Sequence, residues 1–501
     1  MRESYDTSEA GRPAPGARAG AAFAAVDLGA ESGRVVHGRL DGERVTLWVA
    51  HRFANRPVQL PDGLHWNLLS LFAEVLDGLR RVAATSSLRG VGVDAWGVDH
   101  ALLDGHGRVL GLPFHYRDAR TEGMISRAHA RVPRDELYAT TGIQTMPINT
   151  VFQLLADEGT PALAAAERIA LVPDLVSLWL CGELANEVTN ASTTGLLDAR
   201  RGTWARDAIA RLGLPAAPFA GDPVEAGTTL GPVLDEAAAG VPVHAVASHD
   251  TASAFAAAPL RDDRAAVLSS GTWSLLGLEL DEPVLTPLAR EFNLTNERGV
   301  DGTIRLLRNV MGLWLVQECR RHWDLSYDEL HRLAAAARPD VALFDPDADD
   351  FLRPGDMPAR IAAACRATGQ PAPEDPGEVM RSILSSLACK YRLVLERLER
   401  VTGRDVDVVH VIGGGARNEL LCSLTADVLG RRVLAGPVEA TALGNVLMQA
   451  RATGELGSFA DMRAIARASA EPVAYEPAAD RADIYERFLA VTGQTVKETV
   501  P

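Results

Sequence analysis

The chain has 501 residues, 47% of them apolar, with a formal net charge of −16. At roughly 100–200 residues per domain, that length predicts two to four domains with ample buried core. The acidic balance argues against a nucleic-acid backbone or an anionic membrane surface as partner. It leaves open an anionic small ligand held by backbone N–H groups and a bound cation.

The first twenty residues lack a continuous apolar stretch and read as a flexible tail rather than a signal peptide. Order is expected from about Ala21. Ala22–Val26 reads as a buried strand stopped by Asp27-Leu28-Gly29, and Gly33–Leu40 as a second strand. Asp41-Gly42 is a hairpin turn before a third strand, Val45–Val49. Trp66–Val82 has helical periodicity, and Leu88–Val93 is a short apolar strand ending at Asp94, with another expected at Val98–Leu103. This region therefore reads as α/β with a mixed sheet. Val241–Ala247 is a further apolar strand, followed by Ser248-His249-Asp250-Thr251 and a small-residue helix, Ala252–Ala258.

The same grammar returns about 240 residues later: strand Ala265–Leu268, turn Ser269-Ser270-Gly271-Thr272, strand Trp273–Leu280. The repeat is one of pattern, not identity, and predicts two similarly built lobes. A boundary is expected near Pro259–Asp263. Asp301-Gly302 is a turn, and the spacing of Val310, Leu313, Trp314 and Val316 predicts a helix that includes Asn309. Pro339–Pro376, rich in Ala, Asp and Pro, reads as a variable surface excursion. A long helix is expected over Glu378–Val401, ending at Gly403. Strand Val406–Ile412 then runs into Gly413-Gly414-Gly415 and a helix from Asn418 to Leu429. No run reaches the roughly 18 apolar residues that span a bilayer. Five scattered cysteines without a CxxC pair read as buried thiols of a reducing cytoplasm.

Three glycine turns and one carboxylate carry the chemistry. In Asp27–Arg34, Gly29 and Gly33 let backbone N–H groups approach phosphate oxygens, Ser32 and Arg34 add donors, and Asp27 is placed to hold magnesium through water. A plain hairpin turn is the alternative; the turn is not a Walker A loop. Ser269–Thr272 is the matching turn of the other lobe. Gly413–Gly415 brings backbone close to a ring or phosphate, or makes a tight structural turn. Asp250 is either an ordinary helix N-cap or the carboxylate that accepts a proton from an attacking hydroxyl. Trp96-Gly97 reads as an apolar wall for a sugar face or as core packing. His249 reads equally as a core histidine, and no histidine pair has metal spacing.

Together these segments resemble the FGGY family of carbohydrate kinases, within the superfamily that also holds actin and heat-shock chaperone ATPases. The resemblance runs in order from about Ala24 to Glu455, through VDLGAESGRV (from Val26), GVDAWGVDHALLD (Gly92), GLPFHYRDART (Gly111) and TGIQTMPINTVFQL (Thr141). It continues through ASHDTASAF (Ala247), SSGTWSLLG (Ser269), NLTNERG (Asn293), RLLRNVMGLWLVQECRR (Arg305), VIGGGARN (Val411) and EATALGN (Glu439). It implies two ribonuclease-H-like α/β lobes with a central cleft: a mainly sugar-binding lobe over 21–260 and a mainly ATP-binding lobe over 261–490. Tails are expected at 1–20 and 491–501.

By the resemblance, Asp250 is the proton acceptor. Ala30, Glu31, Ser32, Gly33 and Arg34 form the first phosphate turn, and Thr272, Gln317, Gly414 and Gly415 contact ATP. Gly97, His249, Asp250, Thr251 and Asn309 contact the sugar, with Asp27 holding Mg2+ through water. His-Asp at 249–250 implies a deoxyketose acceptor phosphorylated at its C1 hydroxyl, L-rhamnulose in preference to L-fuculose. The expected partners are the sugar and ATP only, with no protein, nucleic acid or membrane. Two readings from other classes, a silent sugar sensor and a chaperone-like ATPase, are opposed by the intact Asp250 with both turns and by the lack of a peptide-binding domain after Glu455.

Overall fold

The computed structural model describes residues 20–496. β1 (Ala21–Leu28), β2 (Ser32–Leu40) and β3 (Val45–Ala54) form an antiparallel meander. A small hairpin, β4 (Val58–Leu60) and β5 (Gly63–His65), and the helix Leu68–Ala83 lead to β6 (Leu88–Ala95), which lies parallel to β1. β7 (His100–Leu103) leaves the sheet to pair with β8 (Arg168–Leu171). β9 (Thr229–Pro232) and β10 (Pro242–His244) complete the order β3-β2-β1-β6-β10-β9.

The second sheet repeats the plan. β11 (Ala265–Ser270) and β12 (Trp273–Leu280) form its hairpin, extended by β13 (Thr295–Arg298) and β14 (Ile304–Met311). β15 (Val408–Ile412) and β16 (Arg432–Ala435) add in parallel, and β17 (Val473–Tyr475) closes the edge. The sequence β3-β2-β1-β6-β10 in one sheet matches β14-β12-β11-β15-β16 in the other, with the same strand directions. These are two ribonuclease-H-like halves.

β1 is apolar on both faces because both are covered. Ala24, Val26 and Leu28 pack with Leu71, Val75 and Leu79 of the helix Leu68–Ala83, while Phe23 and Ala25 pack with Val446 and Leu447 of the helix Ala440–Ala452. In the second sheet Ala266 and Leu268 pack with Leu384 and Leu387 of the helix Pro376–Thr402, and Val267 packs with Ala254 and Phe255. The helices Asp250–Ala256 and Ala440–Ala452 therefore form a layer shared by the two sheets.

Four expectations change. β1 runs through Asp27 and Leu28, which pair with Arg34 and Gly33, so the turn begins two residues later than expected. Asn309 and Val310 lie on a strand, not a helix: ladder pairing with β12 from Ile304 to Met311 overrides the helical spacing, and the helix starts only at Trp314. The 339–376 segment is no surface excursion. Val341, Leu343, Phe344, Phe351, Met357 and Ile361 are buried in the second core, and Met357–Ala367 is helical. Sparse apolar residues in a polar stretch suffice when they all turn to one side. Of the expected C-terminal tail, Gln494 and Thr495 are tied to Arg397 by hydrogen bonds of 3.1 and 2.7 Å, and Val491 and Val496 pack on the core. The expected N-terminal tail, except Gly20, lies outside the described residues.

Candidate active site

A cleft of about 250 Å³ lies where the carboxyl ends of the central strands of both sheets converge. From the first sheet come Asp27 at the end of β1, Trp96 and Gly97 after β6, and His249 and Asp250 after β10. From the second come Ser269 and Ser270 at the end of β11, Gly271 and Thr272 after it, Gly413 and Gly414 after β15, Glu297 on β13 and Asn309 on β14.

The first turn is closed by Gly29 N–H donating to Ser32 O (3.0 Å) and by Asn55 Nδ2 donating to Gly29 O (3.0 Å). Gly29, Ala30 and Arg34 line the cleft. Glu31, Ser32 and Gly33 do not. Glu31 faces Arg321 at 3.8 Å, and Ser32 pairs with Ala54 in the ladder. A Cβ on Gly33 would stand 2.2 Å from the Phe53 ring, so this glycine serves packing.

In the second turn Gly271 N–H donates to Trp273 O (2.8 Å), and Thr272 faces the cleft. Gln317 stands behind Thr272, with Nε2 3.3 Å from Thr272 Oγ1. The third turn crosses the second at close range. A Cβ on Gly413 would lie 3.1 Å from Ser270 O, and one on Gly415 would lie 2.0 Å from Ser270 Oγ. Gly414 lines the cleft with free space around it, and Gly415 is a packing glycine.

Asp250 is the first residue of its helix. The cap position belongs to His249, and no side chain caps the end, so the N-cap alternative falls away. Asp250 Oδ1 accepts from Thr251 Oγ1 (3.0 Å) and lies 3.5 Å from His249 Nε2. Burial pushes the Asp250 carboxyl above its ordinary value, His249 pulls it down, and Asp27 pushes it up. The strand end that delivers it is fixed by Glu187, whose Oε2 accepts from Ser248 N and Ser248 Oγ, both at 2.9 Å.

Beside Asp250, Trp96 is both wall and core: it lines the cleft, and its indole N–H donates to buried Asp99 (2.9 Å). A Cβ on Gly97 would lie 3.0 Å from Thr193, so the chain passes close there. Thr251 and Asn309 also line the cleft. Asn309 is tied across the lobes to Gln144: its N–H donates to Gln144 Oε1 (2.8 Å), and Gln144 Nε2 donates to Asn309 O (3.2 Å).

Sequence reasoning missed Gln144, Glu297, Arg305 and the part played by Asp94. Asp94 ends β6 beside Asp27 in register, and the reasoning applied to Asp27, a carboxylate ending a buried apolar strand, would have found it. The other three show no such signal, because only tertiary folding brings them to His249 and Asn309.

Asp27, Asp94 and Asp250 converge. Asp27 accepts from Arg34 Nε (2.9 Å) and Nη2 (2.6 Å), and Arg34 also pairs with Glu439 of the other lobe. One Asp94 oxygen accepts from Asn445 Nδ2 (2.6 Å), while the other is buried without a partner. Burial, then Asp27, pushes Asp94 well above the ordinary carboxylate range, with a smaller push from Asp250. A divalent cation fits this surplus of negative charge. Among the described residues no three His, Cys, Asp or Glu side chains cluster closely enough to hold an ion outright. All five cysteines are buried and unpaired, and no described helix is long and apolar enough to cross a membrane.

Residues 23–256 match the N-terminal domain, and residues 266–453 the C-terminal domain, of the FGGY family of carbohydrate kinases. The chain is 42% identical over 464 residues to a rhamnulokinase of Bacteroides thetaiotaomicron, covering 91% of this chain and 96% of that one. It is 41% identical over 478 residues to a rhamnulokinase of Pectobacterium carotovorum subsp. carotovorum, covering 93% and 96%. Among solved structures, a gluconate kinase from Lactobacillus acidophilus superposes with a TM-score of 0.75 at 14% identity, covering 94% of this chain and 96% of that one. The glycerol kinase of Plasmodium falciparum with ADP gives 0.74 at 14%, covering 93% and 96%. At such identities these two speak for the fold alone.

Proposed function

The chain belongs to the FGGY family of carbohydrate kinases, and from that premise we propose that it transfers the γ-phosphoryl group of ATP to the C1 hydroxyl of L-rhamnulose, in L-rhamnose catabolism. The observation that carries the reading is the position of Asp250: uncapped, in one cleft with both glycine turns and with His249 and Asn309.

The ketose lies against Trp96, Gly97, His249, Thr251 and Asn309, with its C1 hydroxyl at Asp250. The ATP phosphates lie between Gly29, Ala30 and Arg34 on one side and Thr272 on the other, with Gly414 open to the nucleotide. Gln317 acts through Thr272. As the C1 oxygen bonds to the γ-phosphorus, its proton passes to the Asp250 carboxylate. The bond from that phosphorus to the β-phosphate oxygen breaks, and ADP leaves. Asp27 would hold Mg2+ through water, and the ion would supply charge that neutralises the phosphate oxygens. The buried cleft limits access of water, which would otherwise compete with the sugar. The first half, 21–260, mainly serves the sugar and the second, 261–490, mainly the nucleotide. A cytoplasmic setting suits the five unpaired thiols.

The test is a panel of L-rhamnulose, L-fuculose, D-xylulose and glycerol with ATP and Mg2+, read by ADP release. L-Rhamnulose is expected to give a kcat/KM at least about tenfold above the others. Preference for L-fuculose would reassign the substrate, and no sugar-dependent ADP release would overturn the kinase reading.

A further inference from the structure

The base's neighbour, His249, is held from the opposite lobe. Its Nδ1 lies 3.3 Å from Glu297 Oε2 and 3.2 Å from Arg305 Nη2. Arg305 Nη1 lies 3.1 Å from the same Glu297 oxygen, and Arg305 Nε donates to Arg298 O (3.1 Å). His249 is 6% exposed, Glu297 4% and Arg305 0%. His249 and Asp250 fall in the segment matching the N-terminal family domain, Glu297 and Arg305 in that matching the C-terminal one. Carrying two buried charges on adjacent strands is costly unless they are paired and hydrogen-bonded, and this pair meets in front of a single imidazole.

The pair also constrains the ring's protons. A guanidinium only donates, so Arg305 facing Nδ1 favours a lone pair there and puts the proton on Nε2. If both nitrogens carry protons, Nδ1 donates to Glu297 and Nε2 again carries one. Only the form protonated at Nδ1 alone would turn a lone pair toward Asp250; Glu297 would accept that proton, but Asp250 and Arg305 both oppose the form. In each favoured form Nε2–H faces Asp250 Oδ1, which leaves the second carboxylate oxygen to receive a proton.

We propose that Glu297, backed by Arg305, is a positioning residue for the base: it holds the His249 ring so that Nε2–H fixes the Asp250 carboxylate for proton acceptance. The inference rests on the kinase reading above. Asp250 is then set for chemistry only while the second lobe is in contact with the first.

Steady-state kinetics of Glu297→Gln test it. The expectation is a fall in kcat of about tenfold or more, with KM for ketose and for ATP each within about threefold of wild type. In a His249→Gln background, Glu297→Gln is expected to change kcat by less than about twofold, because its effect travels through that ring. If Glu297→Gln leaves Arg305 unpaired and the chain unfolds, the neutral pair Glu297→Gln/Arg305→Met carries the same expectations. Unchanged kcat, a raised ketose KM at full kcat (a direct sugar contact), or effects that simply add in the double variant would each overturn the positioning role. Wild-type protein that phosphorylates no ketose would sink the kinase reading and this role with it; an active wild type matched by an equally active Glu297→Gln sinks this role alone.

Discussion

Gln144 and Asn309 clasp one another across the cleft, the side-chain oxygen of Gln144 accepting from both the backbone N–H (2.8 Å) and the amide Nδ2 (3.2 Å) of Asn309. Gln144 comes from the loop after the helix Arg134–Thr141 in the first lobe and Asn309 from β14 of the second, and both line the cleft. Asn309→Ala removes the Nδ2 donor and leaves the strand pairing of its backbone intact. The ketose KM is expected to rise about tenfold, the worth of one hydrogen bond near the upper end of the usual range. The KM for ATP should stay within about twofold. Initial rates at varied ketose and ATP separate the two.

Asp250→Asn keeps the shape of the side chain and removes its basicity. A kcat loss of about 10²- to 10⁴-fold is expected, with ADP affinity by calorimetry unchanged. In the wild type, burial raises the Asp250 carboxyl above the ordinary aspartate value. A base is lost when it takes up a proton, so kcat/KM should fall as pH drops through that raised value, at a higher pH than an exposed aspartate would give. A pH–rate profile whose acid limb sits in the ordinary aspartate range would contradict the assignment.

Asp94 should be a stability liability kept for function. Its carboxyl is pushed well up by burial and by Asp27. A raised folded-state value means that the folded protein favours the protonated form, so stability from this group declines as pH rises from the unfolded value through the folded one. Asp94→Asn can still accept the Asn445 hydrogen bond. It is expected to stabilise the protein by about 1–2 kcal/mol at pH 8 and by less at pH 5, while lowering activity. Denaturation midpoints at the two pH values check the sign.

Gly444 lies where the two shared helices touch. A Cβ there would stand 1.8 Å from the backbone oxygen of Ser253, on the helix that Asp250 begins. Backbone cannot swing aside as a side chain can. Gly444→Ala is therefore expected to cost about 2 kcal/mol or more and to lower kcat by shifting Asp250. Gly414→Ala, with nothing within 4 Å of its Cβ, makes the stability control.

The repeated strand–turn–strand grammar was legible because it is local: Ala265–Leu268 and Trp273–Leu280 announce a hairpin, and their strands form within two residues of that reading. Asp27, Ala30, Arg34, Gly97, His249, Asp250, Thr251, Thr272, Asn309 and Gly414 all reach one cleft. Glycine content alone misled at Gly33 and Gly415, because a glycine that makes room for Phe53 or Ser270 looks the same in sequence as one that makes room for phosphate. Asn309 was misread as helical because Val310, Leu313, Trp314 and Val316 beside it satisfy a helical spacing until β12 supplies a pairing edge. Glu297 and Arg305 were invisible as a unit, since nothing in a single chain's order reveals that they meet at a histidine more than forty residues earlier.

The helix Ala440–Ala452 belongs by sequence to the second half and by contact to the first: Asn445 reaches Gly92 O and Asp94, and Gln449 reaches Ala24 O. A break near Pro259 would thus yield two fragments, neither with a complete interior. The leading piece would lose the cover over Phe23 and Ala25, and the trailing piece would present Val446 and Leu447 to water. Such fragments should be unstable apart yet able to complement one another when made together. Gene fusions or splits that treat the halves as interchangeable modules should fail unless this helix travels with the sheet it covers.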